Sequence, residues 1–140
     1  HHHGLHGPLP KACKNTDRPT AGLVKDLKRL GLLDSTVVHW GGEMGRLPVV
    51  QNTRNAGRDH NTYGFSMWLA GGGFKAGHIH GETDEWGHRS VRDKVNHYDY
   101  HATLLQLFGL DYNHLKYKRG GRVTSLIDGQ PARVVEELLA

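Results

Sequence analysis

The chain has 140 residues, enough for one domain with a hydrophobic core, and its 36% hydrophobic content is typical of a globular rather than a disordered protein. Its formal net charge of +4 comes from Lys and Arg residues scattered along the sequence, so we expect no nucleic-acid partner. The single cysteine, Cys13, excludes an internal disulfide and a cysteine-rich zinc module, and no apolar run is long enough to span a bilayer.

Residues 1–16 are predicted to be irregular, because Gly and Pro recur among them without a period. His1–His3 at their start are either a remnant of a purification tag or native sequence. A helix is predicted to begin with Asp17 as its N-terminal cap and to end at Gly31. We therefore divide the chain into this N-terminal segment and one domain over residues 17–140.

Two short runs rich in β-branched and aromatic residues, 35–40 and 65–70, predict strands that each end in consecutive glycines. The polar loop between these strands is long, and loops of such length are often functional. A second helix is predicted over 98–108, with either Asn96 or Asp99 as its cap. Beyond it the sequence predicts a short strand at 122–124 and a last helix at 132–140.

This alternation of helices and strands predicts an α/β fold with a parallel sheet. Two-stranded units are marginal on their own, and parallel sheets are covered on both faces. The apolar run at 35–40 therefore needs neighbours that the sequence does not obviously supply. We take this as a hint that a larger sheet has been cut.

Polar side chains cluster in three loops, at 43–46, 57–60 and 78–88. Carboxylates and imidazoles are ligands of divalent cations, and the adjacent pair Asp59 and His60 offers one of each. The same residue types also suit a solvated loop, so composition alone leaves both interpretations open.

The remaining histidines have simpler interpretations. His97 and His101 flank the start of the second predicted helix and are more typical of capping or surface residues than of metal ligands. His39 lies in an apolar run and is expected to pack in the core.

The sequence offers no evident nucleophile. No Gly-x-Ser-x-Gly elbow occurs, and neither Ser66 nor Ser90 has a candidate base nearby in the sequence. Cys13 is not the cysteine of a sulfatase Cys-x-Pro-x-Arg motif, because Asn15 and Asp17 stand where Pro and Arg are required.

Five motifs in one order carry a resemblance to a known family. They are Trp40–Pro48, Gly57–His60, Trp68–Gly73, His80–Glu85 and Asp99–Leu105. From about Asp17 to its end, the sequence closely resembles the C-terminal part of the Domain of Unknown Function 1501 family, which are sulfatase-like bacterial proteins of the alkaline phosphatase superfamily.

The resemblance implies a fold and a site. The chain would be the C-terminal fragment of an alkaline-phosphatase-like α/β domain, with a mixed, largely parallel sheet flanked by helices. A divalent cation, with zinc or calcium plausible, would be held by carboxylates and imidazoles, and two arginines would bind an anionic substrate oxygen. The implied metal ligands are Asp59, His60, Glu43, His80 and Asp84, and the implied substrate-binding residues are Arg46 and Arg58.

The resemblance also implies a metal-dependent phosphate- or sulfate-ester hydrolase acting on a small anionic ester. The nucleophile would lie in a missing N-terminal part of the same polypeptide, so we expect this chain to be inactive alone. The alternative is a non-catalytic binding or structural protein that retains the fold, and sequestration of metal by histidines is a third interpretation. Family members usually carry an export signal, which implies an exported or periplasmic protein.

Overall fold

The structure is a computed structural model that describes residues 2–127 and 129–140. His1, the first of the three histidines interpreted as tag or native sequence, lies outside the described residues. It contains two α-helices, eight short strands and two 3₁₀ turns within that part of the chain. The helices are α1 (Pro8–Arg29) and α2 (His97–Leu107), and the 3₁₀ turns are Leu33–Ser35 and Glu136–Leu138. The strands are β1 (Val38–Trp40), β2 (Gly45–Arg46), β3 (His60–Asn61), β4 (Trp68–Ala70), β5 (Glu82–Thr83), β6 (Ser90–Arg92), β7 (Lys116–Arg119) and β8 (Arg122–Ser125).

The strands form four separate two-stranded antiparallel ladders in the described residues, which pair β1 with β4, β2 with β3, β5 with β6 and β7 with β8. The prediction of an alkaline-phosphatase-like, largely parallel sheet is therefore wrong. Parallel neighbours require a crossover connection, usually a helix, and the chain between β1 and β4 contains only the β2–β3 ladder. β1 finds a partner, β4, within this chain, and their ladder has two strands.

The run at 35–40 was predicted to be a buried strand of a parallel sheet, but only Val38–Trp40 is strand. Ser35 belongs to a 3₁₀ turn, and of the three residues of β1 only Val38 is buried. Trp40 lies opposite Trp68 across the ladder, with ring planes 4° apart and ring centroids 6.4 Å apart. Both indoles stay partly in solvent, with 51% of Trp40 and 37% of Trp68 exposed.

The glycines that follow β4 have a packing role. Gly71 has φ +71°. The N–H of the next residue, Gly72, donates to the carbonyl of Leu33 at 3.0 Å. A Cβ on Gly71 would lie 2.2 Å from the same carbonyl oxygen, so only glycine fits there. The backbone approach fixes the end of β4 against the 3₁₀ turn that precedes β1.

Helix α1 begins at Pro8 rather than at the predicted Asp17, so residues 8–16 are helical and not irregular. Pro8 suits the first turn because its missing N–H has no partner there, and Pro19 is accommodated inside the helix. The predicted end at Gly31 is confirmed: Leu32 N donates to the carbonyl of Leu27 at 2.8 Å around a glycine at φ +70°. No residue of α1 is buried: Val24 and Leu27 of its apolar stripe are partly covered, whereas Leu23 and Leu30 are 51% and 56% exposed.

Helix α2 supplies two of the five buried apolar side chains, Tyr100 and Ala102. Both predicted caps act together: Asn96 accepts from the N–H of Asp99, and the Asp99 carboxylate accepts from the N–H of Asn96. The buried apolar side chains are Val38, Phe74, Tyr100, Ala102 and Val135.

The C-terminal segment is held by side chains of α2 instead of forming the predicted helix at 132–140. Asp99 Oδ1 accepts the N–H of Arg133 at 2.9 Å, and the buried hydroxyl of Thr103 accepts the N–H of Val135 at 2.9 Å. Residues 130–135 are non-helical where they make these contacts, and only Glu136–Leu138 forms a 3₁₀ turn. The Asp-x-x-x-Thr motif therefore serves the packing of this segment.

Much of the chain lies at the surface. A folded monomer of this mass exposes about 7,300 Å², whereas this chain, at 15.6 kDa, exposes 10256 Å². Large apolar side chains such as Ile79 and Trp86 are 90% and 72% exposed. Within the described residues no helix has the length and apolar character that a membrane span needs.

Candidate functional site

The ladder of β2 and β3 brings two of the predicted site residues together. Arg46 lies directly opposite His60, and Gly45 lies opposite the buried Asn61. The Asn61 side chain donates to the carbonyl of His88 at 2.8 Å and accepts the N–H of Tyr63 at 3.0 Å. These two hydrogen bonds fix the position at which the chain leaves β3, and with it the neighbouring His60.

A second histidine, His2, packs on His60. The two rings are nearly parallel, with centroids 4.9 Å apart and planes 19° apart, and their Nε2 atoms are separated by 3.1 Å. Gly57 makes room for this N-terminal segment, because a Cβ there would lie 1.7 Å from the carbonyl oxygen of His2. The glycine of the Gly57–His60 motif is thus required by the approach of His2.

The other nitrogen of each ring faces an acceptor. His2 Nδ1 lies 2.9 Å from Gln51 Oε1 and 3.5 Å from Asp59 Oδ1, and His60 Nδ1 lies 3.3 Å from Met44 Sδ. A neutral histidine carries one N–H, and these contacts favour its placement on Nδ1 in both rings. Both Nε2 atoms then carry lone pairs 3.1 Å apart, which is unfavourable unless a proton, a cation or an N–H donor lies beside them.

Of the two predicted substrate-binding arginines, Arg46 lies beside the histidine pair. Its Nη1 is 3.2 Å from His2 Nε2 and donates to the carbonyl of Arg58 at 3.1 Å. Arg58 is directed elsewhere, with its Nη1 donating to the carbonyl of Leu47 at 3.4 Å. One cationic side chain therefore adjoins the paired imidazoles.

The predicted carboxylate ligands are not gathered with His60 around one point. Asp59 Oδ1 accepts the N–H of His60 at 2.8 Å and faces the Nδ1 side of His2, away from the facing Nε2 atoms. Glu43 is exposed in the turn between β1 and β2. Across residues 2–127 and 129–140, no three His, Cys, Asp or Glu side chains are arranged as a ready-made metal site. The pair supplies two such donors, and the ligand roles of Asp59 and Glu43 stay predictions.

Asp84 has a structural role in the loop between β5 and β6. Its carboxylate accepts the N–H of His88 at 2.7 Å and that of Arg89 at 3.0 Å. The hydrogen bond from His88 is the main reason that the pKa of Asp84 lies below its ordinary value. Two backbone donors thus occupy this carboxylate, and a further role as a metal ligand stays a prediction.

His80 stands apart from the pair formed by His2 and His60. Its ring centroid is 5.8 Å from that of His78, and its Nε2 is buried with no hydrogen-bond partner in the described part of the chain. His97 and His101, which were interpreted as capping or surface residues, are exposed on α2. His39 is also exposed, so the expectation that it packs in the core is wrong.

A cavity of about 370 Å³ adjoins the paired histidines. Its wall includes Trp40, Met44, Arg46 and Phe65, and the rest of the lining is formed by four glycines, Ser66 and Thr83. Met44 also contacts His60 through sulfur, and Arg46 also contacts His2, so the cavity and the histidine pair share these two side chains.

Reasoning from the sequence missed three participants, His2, Gln51 and Met44. His2 stands far from His60 in sequence, and a run of histidines at a terminus carries no pattern that points to a distant partner. The only available signal was Gly57, since a glycine beside an Asp–His pair indicates a close backbone approach as well as a turn. The sequence could not identify which segment makes that approach.

Comparison with known proteins gives a family but no characterised relative. No curated protein and no solved structure matches this chain. The sequence model of one family, described as "Protein of unknown function (DUF1501)", matches residues 1–139, a range that includes both His2 and His60. The chain therefore belongs to the DUF1501 family of proteins of unknown function.

Proposed function

We propose that His2, His60 and Arg46 form the cation- and anion-binding part of a metal-dependent phosphate- or sulfate-ester hydrolase. The observation that carries the proposal is the 3.1 Å separation of the two Nε2 atoms. Two imidazole nitrogens that bind the same zinc ion stand at about this separation, given metal–nitrogen distances of about 2.0–2.1 Å in tetrahedral geometry.

The surroundings of His2 support a role as a ligand. Metal-binding histidines usually donate their second N–H to a carboxylate or carbonyl group, which fixes the ring and its tautomer. Gln51 and Asp59 stand in that position beside His2 Nδ1. Asp59 would thus act on the metal through His2.

The donors favour zinc over calcium. Calcium prefers six to eight oxygen ligands, whereas zinc readily takes imidazole nitrogen. With two histidines as protein ligands, the remaining positions would be open to water, to substrate oxygen or to a carboxylate such as Glu43.

Arg46 would bind the anionic group of the substrate. Its guanidinium lies beside the paired imidazoles and is exposed, so a phosphate or sulfate oxygen near the cation would also be within its reach. Arg58 has N–H groups beyond the one given to Leu47 and could assist from the neighbouring loop.

The proposal assigns the nucleophile to polypeptide beyond this chain. Four hydroxyls donate to backbone carbonyls, those of Thr16, Thr20, Ser35 and Thr103. In the described residues no Ser or Thr hydroxyl is hydrogen-bonded to a side-chain base. A bound divalent cation would polarise the ester and lower the pKa of the attacking group. This chain would contribute binding and charge.

The first experiment measures zinc binding by isothermal titration calorimetry on the wild-type chain and on His2→Ala and His60→Ala. Each change should weaken binding by more than about tenfold. His101→Ala, which removes an exposed histidine from α2, is the control and should leave the affinity unchanged. Equal zinc affinity in all four proteins would refute the site.

The second experiment separates the enzyme from the non-catalytic alternative. The full-length protein would be assayed with 4-nitrophenyl phosphate and 4-nitrophenyl sulfate, before and after chelation. Turnover that disappears with the chelator and with His60→Ala supports the hydrolase. Zinc binding without any turnover identifies a binding protein instead.

A further inference from the structure

The hairpin of β7 and β8 is a solvent-exposed ribbon. Every residue of β7 is exposed, and so are Arg122 and Val123 of β8. Gly120 and Gly121 connect the strands, both with positive φ, which is the backbone conformation of a tight two-residue hairpin turn. The ribbon thus presents both of its faces to solvent over most of its length.

The formal charge of this ribbon, +4, equals the formal net charge of the whole chain. The ribbon holds four basic residues and no acidic one over residues 116–125: Lys116, Lys118, Arg119 and Arg122. The chain as a whole has 18 basic and 14 acidic residues, a formal net charge of +4. The rest of the chain is therefore balanced, with 14 basic and 14 acidic residues.

The basic charges are not neutralised within the described residues. None of the four forms an ion pair with an Asp or Glu there. Arg119 and Arg122 even lie directly opposite each other in the ladder, where like charges destabilise the pairing. An external anion would relieve this repulsion.

The register distributes the charges over both faces. Successive side chains of a strand point to opposite faces, and directly paired residues share a face. Lys116 and Lys118 therefore project from one face, and Arg119, Arg122 and Tyr117 project from the other. A flat acidic protein surface or a membrane would meet only one face, whereas a groove between two walls of phosphates would meet both.

We propose that the β7–β8 hairpin binds the phosphate backbone of double-stranded nucleic acid by entering a groove. The major groove of B-DNA is about 12 Å wide and admits a two-stranded ribbon. The contacts would be with phosphates, so binding would not depend on base sequence. This proposal departs from the expectation of no nucleic-acid partner, because four basic residues and no acidic one lie together over residues 116–125 and form one hairpin.

The test is fluorescence anisotropy with a labelled DNA duplex, measured over a series of salt concentrations. Four phosphate contacts predict a slope of about −3.6 for log K against log salt concentration. Two double variants, K116Q/K118Q and R119Q/R122Q, each remove the charges of one face and should each reduce the magnitude of the slope by about 1.8.

The matched control is K25Q/K28Q, which removes two exposed charges from α1 and should leave the slope unchanged. The groove proposal is overturned if only one face contributes, or if the control lowers binding as much as the hairpin variants. It is also overturned if heparin, polyglutamate or anionic vesicles bind as tightly as the duplex. Far-UV circular dichroism of each variant checks that the fold is retained.

Discussion

The hydroxyl of Thr103 accepts the backbone N–H of Val135, and both residues are fully buried. The same hydroxyl donates to the carbonyl of Asp99 at 2.7 Å, so Thr103 is bonded both to the backbone of α2 and to the C-terminal segment. This relationship explains why a polar residue occupies the apolar side of the helix.

Replacing Thr103 with Val should test this connection. The change preserves the shape of the side chain but leaves the N–H of Val135 buried without a partner, which costs about 1–3 kcal/mol. Urea unfolding should show that loss in the free energy of unfolding. The exposed Thr53→Val should change it by less than about 0.5 kcal/mol. Equal stability of the two variants would contradict the role given to Thr103.

Gly71 and Gly77 allow backbone strain to be separated from steric clash. Both have φ +71°, but a Cβ on Gly71 would meet the carbonyl of Leu33, whereas a Cβ on Gly77 meets nothing within 4 Å. Gly77→Ala should destabilise the protein by about 1–2 kcal/mol through strain alone. Gly71→Ala should cost about 1–3 kcal/mol more because neighbouring backbone must move. Thermal unfolding of both variants measures the difference, and similar losses would show that the contact with Leu33 is unimportant.

The loop between β5 and β6 should weaken in acid. The pKa of Asp84 is lowered in the folded chain, first by the N–H of His88, so the carboxylate stabilises the loop above the ordinary pKa of an aspartate. That contribution is lost as the pH falls through the lowered folded value. Amide hydrogen exchange at His88 and Arg89 should therefore lose protection in this acidic range, beyond the intrinsic change in exchange rate. Asp84→Asn should remove the pH dependence. If the protection of these amides in the wild-type protein does not change in acid, the stabilising role given to the Asp84 carboxylate is contradicted.

Asp59 distinguishes a direct ligand from a residue that acts through His2. If its carboxylate only orients His2, Asp59→Asn keeps an oxygen acceptor for Nδ1 and should weaken zinc binding modestly, whereas Asp59→Ala should weaken it by about 10–100-fold. If Asp59 binds the metal itself, both variants should lose affinity to a similar extent. Calorimetric titration of both variants decides between these roles, and unchanged affinity in Asp59→Ala would exclude each of them.

Local features of the fold were readable from the sequence. Helix α2, its caps Asn96 and Asp99, and the end of α1 at Gly31 follow from side-chain chemistry that acts within a few residues. The start of α1 was misjudged because Pro and Gly at 4–10 resemble a loop, although Pro8 is well suited to a first helical turn.

The sequence did not reveal which distant segments pair with each other in the fold. Whether β1 joins a parallel sheet or an antiparallel ladder depends on how the chain returns, and its composition suits both. The same limit applies to the site. Residue type indicated Asp59 and His60, and the family resemblance indicated Arg46, but the approach of His2 is a long-range contact. The C-terminal segment shows the same limit, because Asp99 and Thr103 of α2 hold it through hydrogen bonds between residues far apart in the sequence.

The parallel indoles of Trp40 and Trp68 give this molecule a built-in optical reporter. Indole fluorescence depends on solvent exposure and on neighbouring groups, and each of these indoles lies against the other. Separation of β1 from β4 would therefore change the tryptophan emission. Because Trp40 also lines the cavity beside the histidines, an occupant of that cavity would change the signal without any added label.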